Sequence, residues 1–357
     1  MIKPLRLKSG DKIAIVSLSS GVLGESFAEH ELELGEKRLA EFGLTPVYMP
    51  NAKKGIKYLK DHPEARAKDL KLAFADSSIK GIICAIGGDD TYRTIPHLLD
   101  DQEFLKSVKN NPKIFLGFSD STNNHLMFYK LGLQTFYGQA FLTDFAEFAD
   151  VMLPYTKEWA NELLNPTEGK EITSSSLWYE ERQDFGPDQV GVDRMTHKES
   201  HGFEVLRGSG TIEGELLGGC IESLYDQITG ERYSDEKDII EKYKIFPSKD
   251  QWQGKILFAE SSEEKPQPQK LHQMLATLDN AGVFEVINGV MIGKPQNEQF
   301  YEEYKAIWLE VTEKYNLPII YNLNFGHATP RCILPYGGRV KIDFDKLKIR
   351  LIESLVA

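Results

Sequence analysis

Ser119 combines a reactive side chain with a position that makes its chemistry usable. It follows a short apolar run, Ile114 to Leu116, with Gly117 two residues before it, and a helix pattern runs from Ser121 to Leu131. That is the strand–turn–helix context of a nucleophile elbow, where a sharp turn holds a hydroxyl exposed above an α/β sheet. Ser121 stands where the commonest elbow has its second glycine. The helix N-terminus beyond the turn leaves backbone N–H groups free, and these can stabilise a developing oxyanion. Serine is also a common helix cap, so the turn alone leaves catalysis and capping both open.

A serine nucleophile needs a base and usually a third group that orients that base. Of the eight histidines, His30, His62, His97 and His272 fall on helices or their ends, where they are expected to face solvent. His125 lies on the helix after Ser119 and points away from it, and His197 and His201 lie in a polar stretch. His327 differs, because it follows an apolar strand in the turn Gly326-His-Ala-Thr-Pro330. Glu260 ends the apolar strand Lys255 to Ala259, which predicts a partly buried, paired acid. The order Ser119, Glu260, His327 is that of α/β-hydrolase triads.

A competing motif is Ile86-Gly-Gly-Asp-Asp-Thr91, which resembles the Gly-Gly-Asp-Gly-Thr signature of NAD kinases and the similar one of phosphofructokinases. Asp90 places negative charge where that signature has glycine, and no Gly-Lys-Ser/Thr accompanies it. A phosphotransferase using the Gly87-Gly88-Asp89 turn is therefore a remote alternative. The same turn works better as an oxyanion donor through the Gly88 N–H.

The elements that must position these residues alternate. Strand patterns at 12–18, 45–49, 81–86, 114–116 and 135–137 are interleaved with helix patterns at 25–42, 63–75 and 121–131. That alternation predicts an α/β fold with a doubly wound, mostly parallel sheet over residues 1–165. In such a sheet ligands bind beyond the carboxyl ends of the strands, where Ser17 to Gly21, Gly87 to Asp90 and Ser119-Asp120 fall. Residues 166–208 are polar and turn-rich and read as a connection carrying a long loop, in which Trp178 is either an aromatic plug or a stacking platform. Residues 209–357 resume strand and helix patterns and predict a smaller mixed α/β domain carrying Glu260 and His327, which puts the site between the domains.

Composition narrows the function classes. The chain has 357 residues, enough for two domains, and a formal net charge of −12, which argues against a nucleic-acid polymer as partner. Its three cysteines, Cys84, Cys220 and Cys332, are far apart and suggest neither a disulfide framework nor a Cys-x-x-Cys metal site. No leader pattern and no run of membrane-span length occurs, so no membrane partner and a cytoplasmic location are expected.

Taken together, the chain resembles the serine carboxypeptidase family of bacterial LD-carboxypeptidases (muramoyltetrapeptide carboxypeptidases) and microcin C immunity peptidases. The resemblance rests on the opening Leu7-Lys-Ser-Gly-Asp-Lys-Ile-Ala-Ile-Val16, Ile86-Gly-Gly-Asp89, Gly117-Phe-Ser-Asp-Ser121, Gly214-Glu-Leu-Leu-Gly-Gly219, Ile256-Leu-Phe-Ala-Glu260 and Phe325-Gly-His-Ala-Thr-Pro330. It implies Ser119 as nucleophile, His327 as general base and acid, Glu260 as its orienter, and an oxyanion hole from the N–H groups of Gly88 and Asp120. It implies acyl transfer that needs no metal or other cofactor, and a homodimer.

The long polar loop looks more like the immunity branch, whose substrates are aminoacyl- or peptidyl-nucleotides and where an aromatic residue stacks on the nucleobase. Trp178 is the residue expected in that role. The alternative is an LD-carboxypeptidase releasing D-alanine from a murein tetrapeptide. Cys220 and Glu222 stand where the immunity branch tends to carry amides, and Glu264 stands where a lysine would hold an acidic substrate. The resemblance implies a substrate-binding role for these three, and the negative charge of Glu264 disfavours an aspartyl substrate and favours a cationic or neutral one, with a solvated loop residue as the alternative reading of Glu264.

Overall fold

The computed structural model describes residues 1–357. Its first sheet contains β1 (Lys12–Val16), β2 (Thr45–Tyr48), β3 (Ile79–Cys84), β4 (Ile114–Gly117) and β5 (Phe136–Tyr137). β1 to β5 run parallel, and the spatial order β5-β4-β3-β1-β2 makes the predicted doubly wound arrangement. β4 is buried along its whole length and β3 at all but Lys80. Strands covered on both faces read as unbroken apolar runs, which is why they stand out in the sequence.

Residues 166–208 are more than a connection. They supply β6 (Glu171–Ile172), the hairpin of β7 (Leu177–Tyr179) and β8 (Thr196–Lys198), and β9 (Glu204–Arg207). β6 and β9 form the two edges of a second, eight-stranded sheet. Its interior holds β10 (Thr211–Cys220), β11 (Ile256–Glu260), β12 (Gly289–Gly293) and β13 (Ile319–Leu323), all parallel. β14 (Leu334–Pro335) leaves this sheet and pairs antiparallel with β5, whereas β15 (Arg339–Asp343) and β16 (Lys348–Leu351) complete the second sheet.

The crossing between β13 and β14 matters most for the site. Residues 324–333 pass from one sheet to the other, so His327 is carried to the seam beside the carboxyl ends of β4 and β11. One hydrophobic cluster of 88 buried residues runs through both sheets, which fixes that seam rigidly.

Two local boundaries differ from the sequence pattern. The helix expected over 25–42 is regular only over Glu29–Glu41, preceded by single turns at Val22–Gly24 and Ser26–Ala28. Gly24 lies so close to the 53–55 backbone that a Cβ there would come within 2.4 Å of the Gly55 nitrogen, and that contact holds the chain in turns. The helix Ser234–Tyr243 has no counterpart in the expected elements, because its charged residues mask a weak apolar stripe. No helix is long and apolar enough to cross a membrane.

Candidate active site

Ser119 begins the turn between β4 and the helix Thr122–Lys130 and takes a left-handed backbone conformation, φ 63°. A non-glycine residue there is strained and persists only where its surroundings impose it. The backbone after β3 comes close: a Cβ on Gly87 would lie 2.9 Å from Ser119 Oγ. The N–H groups of Gly88 and Asp120 meet no acceptor within the fold. The Ser119 N–H is different, donating to the Tyr137 hydroxyl at 3.1 Å.

The aspartates around this turn are structural. Asp120 is buried, and its carboxylate accepts the Thr91 N–H at 2.8 Å and an Asn123 N–H at 3.1 Å, which ties the two loops together. Asp90 is buried against Arg66, at 2.5 and 3.3 Å. Asp90, standing where the phosphate-binding signature has glycine, is thus committed to Arg66, whereas Asp89, the acid of that signature, is exposed, accepts from the Tyr233 hydroxyl at 3.0 Å and lies 3.8 Å from Arg232.

Glu260, at the end of β11, and His327 meet across the seam. The Glu260 carboxylate accepts from His327 Nδ1 at 2.8 Å and from the His327 backbone N–H at 3.1 Å. Its other oxygen accepts from the Tyr137 hydroxyl at 2.5 Å. Burial works against the Glu260 charge, but His327 and Tyr137 outweigh it and hold the carboxyl below its usual range. Gly326, at φ 84°, is needed for this approach, since a Cβ there would lie 2.2 Å from Glu260 Cγ. His327 Nε2, the nitrogen left for a substrate-side role, contacts Glu263 Oε2 at 2.9 Å.

Ser119 and His327 both line a cleft of about 440 Å³. Phe27, Phe118, Phe148 and Phe185 supply its aromatic walls, with the Phe185 ring edge-on to Phe148 at 6.3 Å and, like Phe27, about half exposed. Arg182 and Arg194 both pair with buried Glu147, at 2.9 and 2.6 Å, and Arg331 pairs with Asp144 at 2.9 Å. Trp178, the platform expected from the sequence, does not line this cleft. Its ring stacks on His197 at 4.2 Å inside the β7–β8 hairpin, with Lys294 Nζ 5.2 Å from its centroid. Phe27 and Phe185, both more than half exposed, line the cleft instead.

Cys220, Glu222 and Glu264 lie together in a second, smaller pocket that shares Gly88, Ser119 and Glu263 with the cleft. Donor atoms of Cys220, Glu260 and His327 fall within 4.8 Å of one another, a spacing that could suit a metal. The Cys220 thiol, however, is pushed well above its usual range by burial and by Glu222 and Glu260, and it donates to Glu222 at 3.1 Å. A protonated thiol beside a hydrogen-bonded His–Glu pair is a poor metal donor set.

Of the expected site residues, Ser119, Glu260, His327, Gly88 and Asp120 come together at the seam. Tyr137 and Glu263 join them without having been singled out. Tyr137 ends a two-residue strand, and Glu263 follows Glu260 by three, so their proximity to β4 and to β11 was the available signal. His125 is buried between Gly117 and Thr135 rather than near the serine hydroxyl. Contrary to expectation, His30 is half-buried against Phe148 at 5.3 Å.

Comparison with known proteins agrees with this architecture. The LD-carboxypeptidase N-terminal domain model of peptidase family S66 matches residues 13–138, and the C-terminal domain model matches residues 213–342. An MccF-like protein from Streptococcus pneumoniae, solved in complex with AMP, is 50% identical over 96% of this chain and 98% of that one, with a TM-score of 0.92. The Probable murein peptide carboxypeptidase of Bacillus subtilis is 26% identical over 99% of this chain and 95% of its own length. The microcin C7 self-immunity protein MccF of Escherichia coli is 25% identical over 82% of this chain and 79% of its own. A structure of MccF in complex with aspartyl sulfamoyl adenosine shares the fold over the full length of both chains, with a TM-score of 0.81. Both LD-carboxypeptidase domains are thus present in sequence order, and the chain belongs to peptidase family S66.

Proposed function

We propose that this S66 peptidase is a serine-type hydrolase that cleaves an acyl–nitrogen bond in aminoacyl- or peptidyl-nucleotide conjugates. The observation that carries the reading is the 2.8 Å contact of His327 Nδ1 with Glu260, in a residue that lines the same cleft as Ser119 and whose Nε2 contacts only the exposed Glu263. Ser119 Oγ attacks the carbonyl while His327 takes its proton. His327 then returns that proton to the leaving nitrogen, and water releases the acyl group by the reverse route. Glu260 holds the imidazole in the required tautomer. The free N–H groups of Gly88 and Asp120 serve the oxyanion, each worth roughly 10²–10³-fold in rate.

The nucleotide preference is supported by the cleft, which is large enough for a nucleoside and carries the exposed Phe185 ring. The complex of the Streptococcus pneumoniae relative with AMP supports it too. No metal or organic cofactor enters this mechanism. A homodimer in the cytoplasm completes the reading, and sedimentation equilibrium tests the dimer.

The deciding experiment compares the protein with Ser119→Ala on an aminoacyl-sulfamoyl adenosine and on a murein tetrapeptide ending in D-alanine. Products are followed by mass spectrometry. Serine-dependent cleavage of the nucleotide conjugate is expected. Cleavage of the tetrapeptide alone would replace the reading with an LD-carboxypeptidase, and cleavage by Ser119→Ala would overturn the triad.

A further inference from the structure

The cleft and the smaller pocket meet at Ser119. Gly88, Ser119 and Glu263 belong to the walls of both, so a carbonyl attacked by Ser119 must send one substituent into each. The two compartments differ in size and chemistry. The cleft offers about 440 Å³ with aromatic walls, whereas the pocket offers about 40 Å³ and has a single hydrophobic residue among its 14. A water needs roughly 10–15 Å³ on this scale, so the pocket admits a slender polar chain end and no ring. The leaving group therefore takes the cleft, and the side chain of the acyl residue takes the pocket.

The charge balance of the pocket is one-sided. Arg232 is the only cation in its wall, and it is shared among Glu264 at 2.6 Å, Asp226 at 3.5 Å and Asp89 at 3.8 Å. Glu222 is buried, with one oxygen held by the Ser262 N–H and hydroxyl at 2.8 Å. Glu236, from the helix Ser234–Tyr243, is 2% exposed, lines the same pocket and pairs with no cation. Burial, reinforced by Asp120 and Asp226, pushes its carboxyl up to about 9, the condition of a buried acid that lacks a counter-charge.

Resting on the acyl-transfer reading above, we propose that this pocket selects a cationic acyl side chain, of the lysyl, ornithyl or arginyl class, over an aspartyl or glutamyl one. An ammonium entering it meets Glu236 and Glu222 as acceptors and restores the Glu236 charge. A carboxylate entering it gains only Arg232, already shared three ways, and meets like charge elsewhere. Discrimination then arises as much from repulsion of the wrong substrate as from attraction of the right one.

The test uses lysyl-, alanyl- and aspartyl-sulfamoyl adenosine with the full chain. Turnover is measured on the unaltered protein, and binding is measured by calorimetry on Ser119→Ala. The expected result is a kcat/KM for the lysyl conjugate at least tenfold above the aspartyl one, with the same order in binding. The double substitution Glu236→Gln and Glu264→Lys should narrow that ratio at least tenfold, with a thermal unfolding scan to confirm that it folds. Serine-dependent turnover with the aspartyl conjugate equal to or better than the lysyl one overturns the pocket assignment and leaves acyl transfer standing. Lysyl-preferring binding without turnover of any conjugate keeps the assignment and overturns the hydrolysis. Absence of both binding and turnover overturns both.

Discussion

His327 Nε2 lies 2.9 Å from a carboxylate oxygen of Glu263, while Nδ1 of the same ring lies 2.8 Å from Glu260. The imidazole is thus held between two acids, and the nitrogen that would receive the Ser119 proton in the proposed mechanism is already in contact with a carboxylate. Burial disfavours the imidazolium, but the two carboxylates outweigh it and push His327 up to about 10. Despite the cost of burial, Glu263 is drawn down to about 2 by the same contact. This contact favours the imidazolium in the site as it stands, so the proposed mechanism requires Glu263 to leave Nε2 before His327 accepts a proton.

A pH dependence follows with a definite sign. The active form requires neutral His327, so activity rises with pH through the His327 titration. Glu263→Gln removes one of the two carboxylates that favour the imidazolium. A nearby opposite charge shifts such a group by about 1–3 units, so the rising limb of kcat/KM should move to lower pH by about that much in the variant. Activity near pH 7 should increase accordingly. A limb that stays in place would show that Glu263 has left His327 before the kinetically relevant state.

Tyr137 links Ser119 and Glu260 through one hydroxyl, which accepts the Ser119 N–H at 3.1 Å and donates to Glu260 at 2.5 Å. Tyr137→Phe leaves the Ser119 N–H without a partner in a buried site, at a cost of about 1–3 kcal/mol in stability. It also frees the Ser119 turn, whose strained φ is held partly by that bond. The expected result is a lower denaturation midpoint together with a fall in kcat and little change in KM. A change in KM alone would place Tyr137 among substrate contacts instead.

Asp90 is a structural acid next to the Gly87-Gly88-Asp89 turn of the phosphotransfer alternative. Its carboxylate is committed to Arg66, which is fully buried. Asp90→Ala strands that guanidinium, and breaking a buried pair by removing one partner costs roughly 3–5 kcal/mol. Chemical denaturation should register the loss, with no ATP-dependent product formed by either protein. A phosphorylated product from the unaltered chain would instead restore the phosphate-binding role of the Gly87 turn.

What could be read in advance followed burial. β4 and the β11 residues before Glu260 are unbroken apolar runs and β13 is interrupted only at Asn322, so their ends are visible, and Ser119, Glu260 and His327 stand at or just beyond those ends. The relations between them were not visible. The Tyr137–Glu260 contact joins residues 123 positions apart and exists only because β14 returns to the first sheet. Glu236 carries no sequence motif and reaches the small pocket only because its helix packs against the helix Ile221–Thr229 and the turn Thr91–Thr94. The hairpin of β7 and β8 decided between Trp178 and Phe185, and three-residue strands of mixed polarity leave almost no periodic trace.

That choice of aromatic residue is open to direct measurement. Phe185 is 53% exposed at the cleft and lies edge-on to Phe148, so about half of its surface is open to a ligand. Trp178 is 8% exposed, with its ring already stacked on His197. Stacking on a base is worth about 1–3 kcal/mol, which corresponds to roughly 5- to 150-fold in affinity. Phe185→Ala should therefore raise KM for a nucleotide conjugate within that range, while kcat at saturation changes little. Phe185→Tyr, which keeps the ring, should restore most of it. Trp178→Phe should lower thermal stability through lost hairpin packing and leave KM near its original value. A large KM effect at Trp178 with none at Phe185 would mean that the hairpin opens on binding and presents Trp178 to the base.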